Sequence, residues 1–195
     1  VTLTSANAEK VYDGTPLTNH NVTVSGDGFA DGEGATYDVT GSQKEVGKSD
    51  NTFTYTLNEG TKADNYEIKT ENGTLTVNPV TDKVTVTITE NSGSAKYDGT
   101  EKTVTGYKVT NISNNLYKEG DFSFSGNASV SGINAGTYDM ELKASDFTNT
   151  NANFSKVKFV IVDGTLTISP RKVTLTSANA EKVYDGTPLT NHNVT

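Results

Sequence analysis

Several residue types are scarce or absent in this 195-residue chain, and each absence excludes a class of site or structure. Cysteine is absent, so disulfides and thiolate metal sites are excluded. Tryptophan is absent as well, and apolar residues make up only 32% of the chain. That is too little apolar surface for one large core, but it suffices for several thin cores in domains of less than about 100 residues.

Long apolar runs and an excess of positive charge are also missing. A transmembrane helix requires roughly 18 consecutive apolar residues, and no such run occurs, so membrane insertion is not expected. The chain carries 16 Lys and Arg against 24 Asp and Glu, a formal net charge of −8. Because nucleic acids and anionic lipids bind basic surfaces, neither is an expected partner.

Internal repetition is the strongest positive feature of the sequence. Residues 1–23, VTLTSANAEKVYDGTPLTNHNVT, return unchanged as residues 173–195. A YDGT motif and a later GTLT motif divide the intervening chain in two. The repetition predicts a first β repeat of YDG type at 1–79, a second, divergent β repeat at 80–170, and a partial third repeat at 171–195.

The YDGT motif and the proline after each GTLT segment are predicted to be structural. The Asp can hydrogen-bond within its own turn, the Gly can adopt positive φ, and the Tyr ring is expected to cap a small core with its hydroxyl at the rim. The prolines fix φ where one repeat meets the next. The residues assigned to this motif are Tyr12, Asp13, Gly14, Tyr97, Asp98, Gly99, Tyr184, Asp185, Gly186, Pro79 and Pro170.

Alternating apolar and polar residues predict β-strands throughout, and no long segment shows helical periodicity. The pairs Asn72-Gly73 and Asp163-Gly164 favour two-residue turns, so each repeat is expected to end in a hairpin. The predicted fold class is all-β, with tandem small immunoglobulin-like β-sandwich domains, and β-grasp-like repeats are the alternative. The short Pro-containing steps between repeats predict a semi-rigid rod.

Few residues suggest chemistry beyond this scaffold, and no cofactor or catalytic activity is expected. His20 and its copy His192 have no marked nucleophile or orienting carboxylate nearby. Asp27, Asp31 and Glu33 are weak candidates for a calcium site, since they lie close together in one loop but lack an established ligand spacing. Three lysines just before the motif tyrosines are candidates for an intramolecular isopeptide bond, although their distance in sequence from the tyrosine differs between the two repeats: Lys10, Lys96 and Lys182.

The motifs also carry a family resemblance. With its YDG landmarks, its GTLTVNP and GTLTISP segments and the Asn65-Tyr66 pair, the chain resembles the YDG and MBG repeat modules of large bacterial adhesins. The resemblance implies an extracellular β module, arrayed in tandem at the bacterial cell surface or cell wall, with no catalytic residues. The expected function is a non-catalytic stalk or spacer that projects a distal binding region. The alternative is an adhesive module that binds a carbohydrate, such as a host glycan, or another surface polymer.

The copied segment leads to one further expectation. Residues 171–195 supply the first strands of a repeat and are too few to bury a core alone. We therefore expect another element to hold them, for example a neighbouring copy in a domain-swapped arrangement. A tail without contacts would count against this expectation.

Overall fold

The computed structural model describes residues 1–195 and is all-β, as predicted. The first repeat contains eight strands: β1 (Thr2–Ser5), β2 (Ala8–Val11), β3 (Val22–Ser25), β4 (Ala35–Val39), β5 (Gly47–Asn51), β6 (Phe53–Leu57), β7 (Lys69–Glu71) and β8 (Gly73–Asn78). A 3-10 turn at Ala63–Asn65 precedes β7. There is no α-helix, the element that a β-grasp-like repeat would require, and no helix is long and apolar enough to cross a membrane.

The second repeat contains ten strands: β9 (Val84–Glu90), β10 (Gly93–Lys96), β11 (Lys102–Thr105), β12 (Tyr107–Ile112), β13 (Phe122–Phe124), β14 (Ser129–Gly132), β15 (Gly136–Asp139), β16 (Phe147–Asn149), β17 (Val157–Val162) and β18 (Thr165–Ser169). It also has 3-10 turns at Glu119–Asp121 and Ala144–Asp146. The first of these turns overlaps the end of the segment NNLYKEG, residues 114–120.

Each repeat is organised around a parallel pair formed by its opening and closing segments. In the first repeat, β1 pairs with β7 and β2 pairs with β8, with Thr2 opposite Lys69 and Ala8 opposite Leu75. In the second repeat, β9 pairs with β17 and β10 with β18, again in parallel. Within each repeat the difference in residue number between partners is the same in both ladders. The opening and closing segments of each repeat therefore run side by side in one register, although the pairing is interrupted between the first ladder and the second.

The other strands complete several small sheets of the kind that β-sandwich domains contain. The sheets of the first repeat have the orders β3-β1-β7 and β2-β8-β5, with β4 and β6 as a separate antiparallel pair. Those of the second repeat have the orders β12-β9-β17 and β10-β18-β15, with the pairs β11–β14 and β13–β16. The third strand beside the parallel pair therefore changes part-way along the pair, from β3 to β5 in the first repeat and from β12 to β15 in the second.

The predicted terminal hairpins are wrong. β7 and β8 continue in the same direction along β1 and β2, and neither Gly73 nor Gly164 has the positive φ of a type I′ turn. These glycines are instead needed because two backbones approach closely. A Cβ on Gly73 would clash with the Ser5 carbonyl oxygen, and one on Gly164 would clash with the Asn91 carbonyl oxygen.

The cores are thin, as the composition predicted, and follow the period-two alternation of the parallel pairs. β8 and β9 alternate strictly between buried and half-buried residues. Phe122, Phe147 and Phe159 form an aromatic cluster in the second repeat, with ring centroids 5.2 to 6.0 Å apart. The alternation fails at Tyr55, which is in phase with the half-buried Phe53 and Leu57 on β6 but is 36% exposed.

Close contacts divide the chain into two compact units that do not coincide with the sequence repeats. The first unit comprises Val1–Thr89, Lys108–Asn127 and Leu142–Val162. The second comprises Glu90–Tyr107, Ala128–Glu141 and Asp163–Thr195. The first repeat and part of the second therefore belong to one compact body, while the domain boundaries at 79 and 170 rest on the sequence repetition and stay predictions.

The tail from 171 to 195 contains no β-strand, and its residues are exposed. Its single β-bridge joins Ser177 to Val194, and its large apolar side chains, such as Leu175 at 76% exposure, face solvent. Within the single chain the tail is thus close to a free extension. The expectation that a second copy holds it concerns a partner chain and stays a prediction.

Candidate functional site: the YDGT turn and the repeat junction

The first YDGT motif forms a tight turn directly after β2. One carboxylate oxygen of Asp13, Oδ1, accepts hydrogen bonds from the Thr15 backbone N–H at 2.9 Å and from the Thr15 hydroxyl at 2.7 Å. Gly14 has φ of +79°, which a residue with a Cβ rarely adopts. The predicted roles of the Asp and the Gly in this turn are thus seen in the first repeat.

A lysine closes the turn. The Lys10 ammonium donates to Asp13 Oδ1 at 2.6 Å, to the Thr15 carbonyl oxygen at 2.6 Å and to the Thr15 hydroxyl at 2.8 Å. The hydrogen bond from Lys10, followed by those from Thr15, holds the pKa of the Asp13 carboxyl well below its ordinary value. We call this arrangement of Lys, Asp and Thr the turn clamp.

The turn clamp recurs in the second repeat with its lysine at a different sequence position. Asp98 accepts from the Thr100 N–H and hydroxyl, and its other carboxylate oxygen accepts from Lys102 at 2.6 Å. Lys10 precedes its Asp along the chain, whereas Lys102 follows its Asp. Gly99 has φ of +84°. The same three residue types, Lys, Asp and Thr, therefore bond to one another whether the lysine precedes or follows the motif.

In the copied tail, Lys182 and Asp185 form the clamp again, at 2.7 Å. Hydrogen bonding, first from Lys182 and then from Thr187, lowers the pKa of the Asp185 carboxyl. Lys102 was missed from the sequence, where only Lys10, Lys96 and Lys182 drew attention. A signal was present, namely a lysine close to the motif Asp on one side or the other.

The Tyr12 ring contacts an aromatic side chain of the second repeat. It packs edge-on against Phe154, with ring centroids 5.8 Å apart and an interplanar angle of 78°. Phe154 in turn packs edge-on against Tyr117 at 5.1 Å, and both of these side chains are buried. Because Phe154 lies far from Tyr12 along the chain, strand periodicity could not reveal the contact.

Tyr117 is anchored at its polar end. Its hydroxyl has hydrogen-bond contacts with Asn149 Oδ1 at 2.9 Å and with the Asp121 carbonyl oxygen at 3.0 Å. Burial, followed by the Asp121 carboxylate, raises the pKa of Tyr117 to about 12. The phenol therefore stays protonated under physiological conditions and can serve as a fixed hydrogen-bond donor.

Hydrogen bonds also hold the chain in place near Phe154, one set through Val80 and another through the Asn153 side chain. The Val80 N–H, directly after Pro79, donates to the Asn153 carbonyl oxygen at 2.8 Å, and the Val80 carbonyl oxygen accepts from the Ser155 N–H at 3.0 Å. The Asn153 side chain accepts from the Val46 N–H at 2.8 Å and donates to the Glu45 carboxylate. We call this set, together with Tyr12 and Phe154, the repeat junction, and all of it lies in the first compact unit.

The second repeat has a differently exposed counterpart of Tyr12. Tyr97 is 37% exposed and lines an open hollow of about 420 Å³ with Pro170 and Val173. Tyr184, in the tail, is 92% exposed. The three motif tyrosines thus occupy three different environments despite the shared motif.

The remaining sequence candidates are dispersed. Nδ1 of His20 lies 3.2 Å from the Val39 carbonyl oxygen. The structure shows no group of three His, Cys, Asp or Glu residues that could hold a metal ion, so Asp27, Asp31 and Glu33 do not form one. Glu33 instead accepts a hydrogen bond from the Tyr66 hydroxyl.

Comparison with known proteins gives one match. Residues 83–170 match the family model of the MBG domain, which covers the second repeat except for residues 80–82. No curated protein and no solved structure matches the chain. The match confirms the resemblance to MBG-type modules that the YDG and GTLT landmarks indicated, and residues 83–170 of this chain are similar to the MBG domain.

Proposed function

We propose that these repeats form a non-catalytic stalk segment of an extracellular bacterial surface adhesin, in which consecutive modules hold a distal binding region away from the cell. The repeat junction is the observation that carries this proposal. A stalk needs each module to resist bending relative to the next, and the junction supplies contacts suited to that task.

The connection between the repeats is short and is held by hydrogen bonds. Only residues 80–83 separate Pro79 from the start of β9 at Val84. Val80 bonds to Asn153 and Ser155 through its N–H and its carbonyl group, so the start of the connection is fixed on the second repeat. A linker held in this way cannot act as a free swivel.

The contacts on the other side of the connection oppose hinge motion. Glu45 and Val46 belong to the loop before β5, and both bond to the Asn153 side chain. Tyr12 contributes the edge-on contact with Phe154 at a separate point. Because rotation at the linker would break polar and aromatic contacts together, the junction favours one orientation of the first repeat against this part of the second.

The test measures the width of a distance distribution across the junction. Since the chain lacks cysteine, exposed Thr56 and Lys158 can be replaced by cysteine and spin-labelled for double electron–electron resonance. We expect a narrow distribution in the parent chain and a broader one after Asn153→Ala or Phe154→Ala. Asn115→Ala, at an exposed position, is the matched control and should leave the width unchanged. A broad distribution in the parent chain would refute the stalk.

A second candidate function, binding of a carbohydrate or host ligand, is favoured by one observation. Tyr55 on β6 presents a partly exposed ring in the first repeat. Tyrosine offers an apolar body with a polar hydroxyl, a combination that suits binding surfaces. Glycan-array signal from the chain that disappears in Tyr55→Ala would favour this function over a purely mechanical one.

A further inference from the structure

Each repeat places an asparagine or an aspartate directly before the glycine that begins its GTLT segment. These pairs are Asn72-Gly73 in the first repeat and Asp163-Gly164 in the second. In such a dipeptide the glycine backbone nitrogen can attack the side-chain Cγ of the preceding residue and close a succinimide ring. Glycine is the residue that hinders this attack least, because it has no Cβ. Both pairs are therefore chemically reactive sequences at the start of β8 and β18.

The reaction alters the backbone covalently. At asparagine, a bond forms between the glycine nitrogen and Cγ, the bond from Cγ to Nδ2 breaks, and Nδ2 leaves as ammonia with the proton of the glycine N–H. At aspartate, the protonated carboxyl loses water instead. Water then opens the ring at either carbonyl and gives aspartate or isoaspartate. Isoaspartate adds a methylene to the main chain, which would displace the following strand from its ladder.

The fold cannot avoid this reaction by replacing the glycines. A Cβ on Gly73 would clash with the Ser5 carbonyl oxygen, and one on Gly164 would clash with the Asn91 carbonyl oxygen. The residues before them offer no protection either. Asn72 and Asp163 are exposed, and their side chains have no hydrogen-bond partner. Any protection in the folded chain must therefore act on the glycine nitrogen.

The nitrogen of each glycine is held by a buried acceptor. The Gly73 N–H donates to Ser5 Oγ at 2.8 Å, and the Gly164 N–H donates to Glu90 Oε2 at 2.7 Å. Ser5 and Glu90 occupy corresponding places, since each is the last residue of the strand that opens its repeat. A hydroxyl and a carboxyl group differ in size and chemistry. What the two repeats share at this place is therefore an acceptor for the glycine N–H.

We propose that Ser5 and Glu90 protect Asn72-Gly73 and Asp163-Gly164 from succinimide formation in the folded repeats. Attack requires the glycine nitrogen to lose its proton and to turn towards Cγ, and an acceptor that fixes the N–H in the opposite role hinders both. Reaction then requires local opening of the closing segment. The proposal concerns the chemical durability of each repeat and does not rest on the stalk function.

The chain also contains an unprotected pair, which serves as an internal reference. Asp31 and Gly32 lie in the loop before β4 and are both exposed, and neither the carboxylate nor the Gly32 N–H has a hydrogen-bond partner. The Asp-Gly pairs of the YDGT turns differ from this one, because their carboxylates are bound, as Asp13 is by Lys10 and Thr15. Isoaspartate should therefore appear at Asp31 in the folded chain before it appears at Asn72 or Asp163.

The first experiment follows each pair in the parent chain during long incubation at neutral pH, folded or unfolded in guanidinium chloride. Peptide mass spectrometry with electron-transfer fragmentation measures deamidation and isoaspartate at each position. We expect Asn72 and Asp163 to react at least about tenfold more slowly in the folded chain, the effect of one net hydrogen bond on an equilibrium. Asp31 should react at similar rates in both states. Asn72 or Asp163 reacting as fast in the folded as in the unfolded chain would overturn the proposal.

The second experiment removes the acceptor of the first repeat. Ser5→Ala should raise the deamidation rate of Asn72 by roughly tenfold, and Ser177→Ala, in the identical but exposed segment, should leave it unchanged. Val77→Ala is the control for loss of stability, because Val77 is buried on β8 and its truncation loosens the same repeat with the hydrogen bond in place. Deamidation that follows the unfolding free energy alone, with Val77→Ala as effective as Ser5→Ala, would refute the role of the hydroxyl.

The second repeat supplies an independent test that does not depend on the folding of Ser5→Ala. Glu90→Gln keeps a side-chain oxygen that can accept from the Gly164 N–H, whereas Glu90→Leu keeps a similar volume without an acceptor. Isoaspartate at Asp163 should stay slow in Glu90→Gln and rise by roughly tenfold in Glu90→Leu. Equal rates in the two variants would contradict protection by the acceptor.

Discussion

Ser5 and Ser177 occupy the same position within two identical segments, yet their surroundings predict a large loss of stability for Ser5→Ala and almost none for Ser177→Ala. The Ser5 side chain is only 2% exposed in relative terms. Its hydroxyl donates to the Asn51 carbonyl oxygen at 2.5 Å and accepts from the Gly73 N–H at 2.8 Å. The alanine variant removes both hydrogen bonds and leaves the Gly73 N–H buried without this acceptor.

The expected cost follows from those two bonds. A typical hydrogen bond contributes about 1 kcal/mol net, and a buried donor left without a partner costs roughly 1–3 kcal/mol. Ser5→Ala should therefore lower the free energy of unfolding by roughly 2–4 kcal/mol, equivalent to a loss of about 30-fold to 900-fold in the folding constant. Ser177→Ala should change the free energy by less than about 0.5 kcal/mol, because Ser177 is exposed.

Urea unfolding followed by tyrosine fluorescence measures both variants, and hydrogen exchange of the Gly73 amide adds a local readout. Since the flanking residues are identical, the two substitutions are made in the same local sequence. We expect exchange protection of Gly73 to fall in Ser5→Ala alone. Equal effects of the two substitutions on stability would refute the view that the Ser5 hydroxyl stabilises the first repeat through its bonds to Asn51 and Gly73.

Two further predictions concern the turn clamp and the close approach of the parallel pair. Because the folded-state pKa of Asp13 is lowered, its contribution to stability is present above the unfolded pKa of about 3.9 and is lost as pH falls below that value. Lys10→Met should raise the Asp13 pKa in a carbon-13 NMR titration and leave Asp98 unchanged; a low pKa that persists would contradict the role of the lysine. Gly73→Ala should cost roughly 1–3 kcal/mol in urea unfolding, because its Cβ would meet the β1 backbone. Gly120→Ala, whose Cβ would meet open space, is its control and should stay within about 0.5 kcal/mol.

Much of the architecture could be predicted from the chain because repetition and alternation are local signals. The YDGT and GTLT landmarks marked the repeats, and period-two alternation identified the all-β class and most buried positions. The direction of pairing was wrong at Asn72-Gly73, because the dipeptide that favours a tight turn also occurs where a glycine is needed for close backbone approach. Turn propensity cannot distinguish a tight turn from a close backbone approach, since the close approach depends on β1, a strand at the far end of the repeat.

The residues of the candidate site can be divided in the same way, into those that local sequence identified and those that only the fold brings together. The turn at Asp13 and Gly14 is a short-range structure, and its residues were identified from the motif itself. The aromatic partner of Tyr12 was not, because Phe154 comes from a divergent repeat and is brought into place by the fold. Lys102 was missed for a related reason: the clamp requires a cation near the Asp in space, and the chain supplies it from either side of the turn.

The two identical segments, residues 1–23 and 173–195, show what the local sequence determines and what the tertiary structure determines. By itself the sequence specifies the loop of residues 1–23, because the same hydrogen bonds form in the tail, where almost nothing covers them. Only the tertiary structure decides that Leu3 and Ser5 are buried while Leu175 and Ser177 are exposed. The physical reason is that local hydrogen bonds need only neighbouring residues, whereas burial needs the distant strands β7 and β8 to remove the side chains from water.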